Sequence, residues 1–160
     1  MTKNPKKMNK KIALFAGSFD PFTKGHESIV LRALPIFDKI IIGIGYNTNK
    51  QEFFPLKKRE KWIKQTFKAF AHKIEVASYE CLTIEFAKKV NAKYLLRGLR
   101  TSSDFEYERS IAQTNKLMMP EIESVFLLTT PELTPVTSTI VRDIIRHGGD
   151  ASQFLPYDID

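Results

Sequence analysis

Short apolar runs alternate along this chain with longer segments whose apolar positions recur at helical spacing. Ile12-Ala-Leu-Phe15 is short enough for a buried strand, and Ile29, Val30, Ala33, Leu34 and Phe37 after it draw one apolar face of a helix. Lys39 to Gly45 is a β-branched run of the kind buried on both faces of a parallel sheet, and it ends in a polar loop from Tyr46 to Pro55. A second helix is predicted from Leu56, with Trp62, Ile63, Phe67 and Phe70 at helical spacing, followed by a short strand over Ile74 to Ala77. Thr83 to Val90 reads as a third helix and Tyr94 to Leu96 as a fourth strand. Ser103-Asp-Phe-Glu106 matches a capping box that opens a fourth helix running to Met118. Val125 to Leu128 is the fifth strand, and Ser138 to His147 the fifth helix, stopped by Gly148-Gly149. This alternation predicts an α/β domain with a doubly wound five-stranded parallel sheet, whose ligands sit outside the carboxyl ends of the strands.

Composition changes the picture little. At 160 residues, 42% hydrophobic and 27% charged, the chain is one ordinary globular domain, placed at 12–160 and preceded by a basic, flexible tail at 1–11. The net charge of +7 suggests nucleic acid until it is located. Lys3, Lys6, Lys7, Lys10 and Lys11 all lie in that acid-free tail, and without them the body retains only about +2, so no nucleic-acid partner is expected. A single cysteine, Cys81, rules out an intramolecular disulfide; it reads as a small core residue of a protein in the reducing cytoplasm. The apolar stretch after the tail is shorter than a signal peptide requires, and no segment approaches the length of a membrane span.

Candidate chemistry lies in the loops after the strands. Between Phe15 and His26 a glycine-marked loop joins strand to helix, with the Ser18 hydroxyl at the strand end and the His26 imidazole on the first helical turn, where free N–H groups favour anions. Asp20, beside Pro21, reads as a turn-capping residue, and Glu106 as the partner in the capping box. After the second strand Lys50 supplies a mobile cation. After the fourth, Arg97-Gly-Leu-Arg100 places a glycine between two guanidinium forks. After the fifth, Leu133-Thr-Pro-Val-Thr-Ser-Thr139 brings three consecutive hydroxyls to a helix N-terminus.

The motif Thr23-Lys-Gly-His26 after Gly17-Ser-Phe-Asp-Pro21 resembles the signature of the nucleotidylyltransferase superfamily. Together with Lys50, Leu96-Arg-Gly-Leu-Arg100, Asp104-Phe-Glu-Tyr-Glu108, Asn115 and Thr137-Ser-Thr139, it is similar to the bacterial phosphopantetheine adenylyltransferases over roughly residues 11 to 157. That resemblance implies a Rossmann-like nucleotidylyltransferase fold and transfer of an adenylyl group from ATP to 4′-phosphopantetheine, giving dephospho-coenzyme A and pyrophosphate. It implies catalytic roles for His26, Lys50 and Arg100. It further implies ATP contacts at Ser18, Phe19, His26, Gly98, Leu99, Arg100 and Glu108 and along Leu133, Thr134, Pro135, Val136, Thr137, Ser138 and Thr139. Contacts to 4′-phosphopantetheine fall on Ser18, Lys50, Thr83, Arg97 and Asn115. Mg²⁺ would arrive on the ATP phosphates with no protein ligand, and members of the family are typically homohexamers. Three features depart from the family pattern: Ser18 for threonine, Thr83 for an apolar residue and Leu133 for tryptophan. Three other readings stay open on the residues themselves: transfer to another acceptor such as nicotinate mononucleotide, RNA binding by the tail, and an ATP sensor without turnover.

Overall fold

The computed structural model describes residues 9–160. Its five strands are β1 (Ile12–Gly17), β2 (Lys39–Gly45), β3 (Ile74–Tyr79), β4 (Tyr94–Leu99) and β5 (Glu123–Leu128). They form one parallel sheet in the order β3-β2-β1-β4-β5. Helices α1 (Lys24–Ala33), α2 (Leu56–Thr66), α3 (Thr83–Lys89), α4 (Ser102–Met118) and α5 (Ser138–Arg146) make the crossovers and the last element.

Period-two alternation sends the strand side chains to opposite faces. Ala13, Phe15, Ile40, Ile42 and Ile44 pack with Ile29, Val30, Trp62, Ile63 and Val141 under α1, α2 and α5. Leu14, Ala16 and Ile41 pack with Ile84, Phe86 and Ala87 of α3 on the other face. Both faces are covered, so the strands read as continuous apolar runs. Helix α4 is different: its one buried residue is Glu108.

Several boundaries depart from the sequence reading. Strand β4 runs through Arg97, Gly98 and Leu99, which pair with Phe126, Leu127 and Leu128 of β5, so the first three residues of the arginine motif are strand and not loop. The cap of α4 is Thr101, whose Oγ1 accepts the Asp104 N–H at 3.1 Å, and not Ser103; Glu106 is paired with Arg109 instead. Helix α2 ends at Thr66, and Phe70 belongs to a short 3₁₀ turn. Cys81 is exposed, because it sits in the loop before α3 and not in that helix's apolar stripe. The basic tail falls largely outside the described residues; Lys11 donates its backbone N–H to Asp38 Oδ2 at 2.7 Å.

Candidate active site

Strand order reverses between β1, which continues to β2 and β3, and β4, which continues to β5. A crevice forms outside the carboxyl ends at such a point. Three adjoining cavities open there, of about 900, 350 and 130 Å³. Ser18 lines the first and second, Thr83 the first and third, and Arg97 with Glu108 the second and third.

The 350 Å³ cavity brings together His26, Arg97, Gly98, Arg100, Glu108, Ser18 and Phe19 with the stretch Val136 to Thr139. Two helix N-termini meet at it. Gly25 makes this possible, since a Cβ there would stand 3.3 Å from the Val136 carbonyl oxygen, so α1 can start directly against the segment that leads into α5. The hydroxyls of that segment are engaged: Thr137 Oγ1 accepts the Ile140 N–H, Ser138 Oγ donates to the Pro21 carbonyl, and Thr139 Oγ1 accepts from Arg142. Val136 to Thr139 line the cavity, whereas Leu133, Thr134, Pro135 and the buried Leu99 do not. Gly98 serves packing, because a Cβ there would lie 3.1 Å from Ile29 Cγ1.

His26 sits among the rings of Phe15, Phe19 and Phe22. Phe19 is held at φ 45°, a left-handed conformation unusual for a bulky residue, with its ring edge-on to the imidazole at 5.1 Å. His26 Nδ1 accepts the Thr23 N–H at 2.9 Å. Burial first, then the positive charges of Arg100 and Arg97, lower its pKa to about 3, so the ring is a neutral imidazole.

Arg97 is gripped on three sides. Its Nε and Nη2 donate to Glu108 Oε2 and Oε1 at 2.9 and 2.6 Å, and its Nη1 donates to the Ala16 carbonyl at 2.6 Å. Glu108 thus stands behind Arg97 as its orienting partner. Arg100 is looser, with Nε 3.3 Å from Asp104 Oδ2.

Lys50 is exposed on the β2–α2 loop and lines the 900 Å³ cavity with Ser18 and Thr83. Thr83 Oγ1 lies 2.8 Å from the Tyr79 hydroxyl, whose pKa burial raises. Asn115 lines the 130 Å³ cavity with Thr83, Arg97, Ile111 and Phe126. Asp20 does not cap its own turn: its carboxylate accepts the N–H groups of Phe53 and Phe54 at 2.7 and 2.8 Å.

Three arginines at the large cavity went unread in the sequence: Arg59, Arg142 and Arg146. Arg59 had a signal, being the one arginine in a lysine-rich helix and standing three and four residues before the buried Trp62 and Ile63. Arg142 and Arg146 lie one helical turn apart on α5, where nothing local marks them. Among the described residues no group of three or more His, Cys, Asp or Glu is placed to hold a metal ion. No helix among them is long and apolar enough to cross a membrane.

A cytidylyltransferase-like family model matches residues 14–144. The chain is 50% identical over 149 residues to a phosphopantetheine adenylyltransferase of Cytophaga hutchinsonii, covering 93% of this chain and 99% of that protein. It is 52% identical over 144 residues to the phosphopantetheine adenylyltransferase of Bacteroides thetaiotaomicron, covering 90% and 94%. Among solved structures, a bifunctional NMN adenylyltransferase/ADP ribose pyrophosphatase from Francisella tularensis superposes with a TM-score of 0.71 at 20% identity, over 94% of this chain and 46% of that larger one. The Plasmodium falciparum nicotinic acid mononucleotide adenylyltransferase complexed with NaAD gives 0.65 at 15% identity, over 92% and 91%. These two likenesses establish the Rossmann-like fold.

Proposed function

The chain belongs to the cytidylyltransferase-like family and, within it, to the phosphopantetheine adenylyltransferases, and from that premise we propose that its joined cavities transfer the adenylyl group of ATP to 4′-phosphopantetheine. The products are dephospho-coenzyme A and pyrophosphate, which puts the reaction in coenzyme A synthesis. The observation that carries this reading is the meeting of His26, Arg97 and Arg100 at one cavity that joins, through Ser18, the cavity of Lys50.

The attacking group is the phosphate of 4′-phosphopantetheine, an anion at neutral pH. One of its oxygens bonds to the α-phosphorus of ATP as the bond to the bridging β-phosphate oxygen breaks, and pyrophosphate leaves with the electron pair. No proton need move, so the protein's work is positioning and charge stabilisation. His26, neutral and bonded through Nδ1, offers Nε2–H to the α-phosphate oxygens as charge builds there. Arg100, Ser18, Phe19, Gly98 and the stretch Val136 to Thr139 surround the nucleotide's phosphates in the same cavity. Lys50 and the outward N–H groups of Arg97 face the acceptor phosphate, and Thr83 and Asn115 line the course of its pantetheine arm.

Magnesium, when bound, neutralises phosphate charge. It suits a site whose carboxylates are already committed, Glu108 to Arg97 and Asp20 to backbone N–H groups, because Mg²⁺ is commonly held by substrate phosphates and water. The working form is a homohexamer. Helix α4 and β5 leave Phe105, Leu117, Met118 and Leu128 exposed, apolar surface that self-association would cover. The enzyme works in the cytosol, where the free thiol of Cys81 stays reduced.

Acceptor competition tests the reading. Pyrophosphate release from ATP should depend on 4′-phosphopantetheine and yield dephospho-coenzyme A, while nicotinate mononucleotide should give no product. Turnover with nicotinate mononucleotide in its place would overturn it.

A further inference from the structure

Arg59 is 2% exposed, although it stands on a helix whose other cations, Lys57, Lys58, Lys61 and Lys64, all face outward. A guanidinium buried that deeply needs partners in several directions, and this one has them. Its Nη1 donates to the Ser18 carbonyl at 2.7 Å, its Nε to the Phe54 carbonyl at 3.0 Å, and its Nη2 pairs with Glu52. Ser18 belongs to the β1–α1 loop; Glu52 and Phe54 belong to the β2–α2 loop that carries Lys50. Asp20 ties the same two loops from the opposite side, through the N–H groups of Phe53 and Phe54. A carboxylate reaching one way and a guanidinium reaching between both therefore fix one loop against the other.

We propose that Arg59 is a positioning residue for the transfer: by clamping Ser18 to the Lys50 loop, it sets the register between the acceptor phosphate and the nucleotide. The inference rests on the function proposed above. Arg59 lines the 900 Å³ cavity but is 2% exposed, with all three of its nitrogens engaged by protein acceptors, so it acts through Ser18, which lines both the 900 and the 350 Å³ cavities, and through the loop that carries Lys50. The planar fork reaches three acceptors from three separate nitrogens, whereas an ammonium would have to reach all three from one nitrogen. Ser18 and Lys50 hold substrates in two cavities, so a small slip between the loops misaligns attack on the α-phosphorus without emptying either cavity.

The test is steady-state kinetics on the full chain with Arg59→Lys, Lys50→Ala and the double variant, beside thermal melts. Arg59→Lys keeps the charge, and it is expected to fold and to lower kcat by roughly 10–100-fold. KM for ATP should stay within about twofold, since Arg100 and the α5 terminus are untouched. In the Lys50→Ala background the same substitution should cost clearly less, because the group it positions is gone. A merely structural brace would lower the melting temperature and leave kcat per folded enzyme and both KM values unchanged; that result, or full additivity with Lys50→Ala, overturns the proposal. Should Arg59→Lys fail to fold, Asp20→Asn loosens the clamp from the other loop, and an unaltered kcat there also overturns it. Wild-type enzyme that uses a different acceptor would refute the proposed function while leaving the Arg59 split measurable with that acceptor.

Discussion

His26 Nδ1 accepts the backbone N–H of Thr23 at 2.9 Å, so the imidazole carries its proton on Nε2. One contact closes the N-terminus of α1 and also fixes the tautomer that faces the nucleotide cavity. The aromatic cage and the neighbouring guanidinium charges hold the ring neutral, with a pKa of about 3 against an ordinary 6.5. Nitrogen NMR of the histidines should show His26 as the neutral Nε2–H form down to about pH 5. A titration midpoint near 6.5 would contradict this.

The same depression predicts how stability changes with pH. Below pH 6.5 the unfolded chain takes up a proton that the folded His26 refuses, so stability falls as pH drops from about 6.5 towards 3. Urea unfolding at pH 7 and at pH 5 should show a larger loss for wild type than for His26→Gln, which has nothing to protonate.

Removing the donor itself is expected to be a catalytic lesion. His26→Ala should lower kcat by roughly two to three orders of magnitude, the usual cost of losing one donor to developing charge. It should also cost about 1 kcal/mol of stability, because the Thr23 N–H loses its acceptor. A folded variant with near-normal turnover removes His26 from the mechanism.

Glu108 holds Arg97 through both carboxylate oxygens, and in the proposed mechanism it acts through that arginine. Glu108→Ala should destabilise by about 1–3 kcal/mol, a discounted figure because Arg97 is partly exposed and water can reach it. Turnover should fall as the arginine loses its orientation, and adding Arg97→Ala should cost much less than it does alone. Additive losses would mean that Glu108 meets the substrate directly.

Self-association should respond to charge on the exposed face of α4. Leu117 is 86% exposed, and Leu117→Glu is expected to convert a six-chain species to smaller ones in sedimentation without loss of helical signal. A wild-type monomer at micromolar concentration contradicts the proposed hexamer.

Much of this site is legible in the sequence alone. The β-branched run of β2 and the glycine-marked turn after β1 announce a parallel sheet with its ligand crevice, because strands buried on both faces leave no other simple pattern. That His26 and Arg100 line one cavity follows from motif and position. What stayed hidden depends on tertiary contact. The extension of β4 through Arg97 is dictated by pairing with β5, the burial of Arg59 by a carbonyl 41 residues away, and the role of Asp20 by N–H groups 33 and 34 residues along. The pairing of Glu108 with Arg97 stays hidden because that partner lies on a different element, eleven residues back.

The central claim is direct passage of the adenylyl group between two phosphates aligned in one site, with no protein nucleophile. The measurement that tests it most directly is the configuration at phosphorus when the enzyme uses ATP made chiral at the α-position with sulfur. A single in-line displacement predicts inversion in the dephospho-coenzyme A formed; retention would require a covalent enzyme intermediate and would contradict the account.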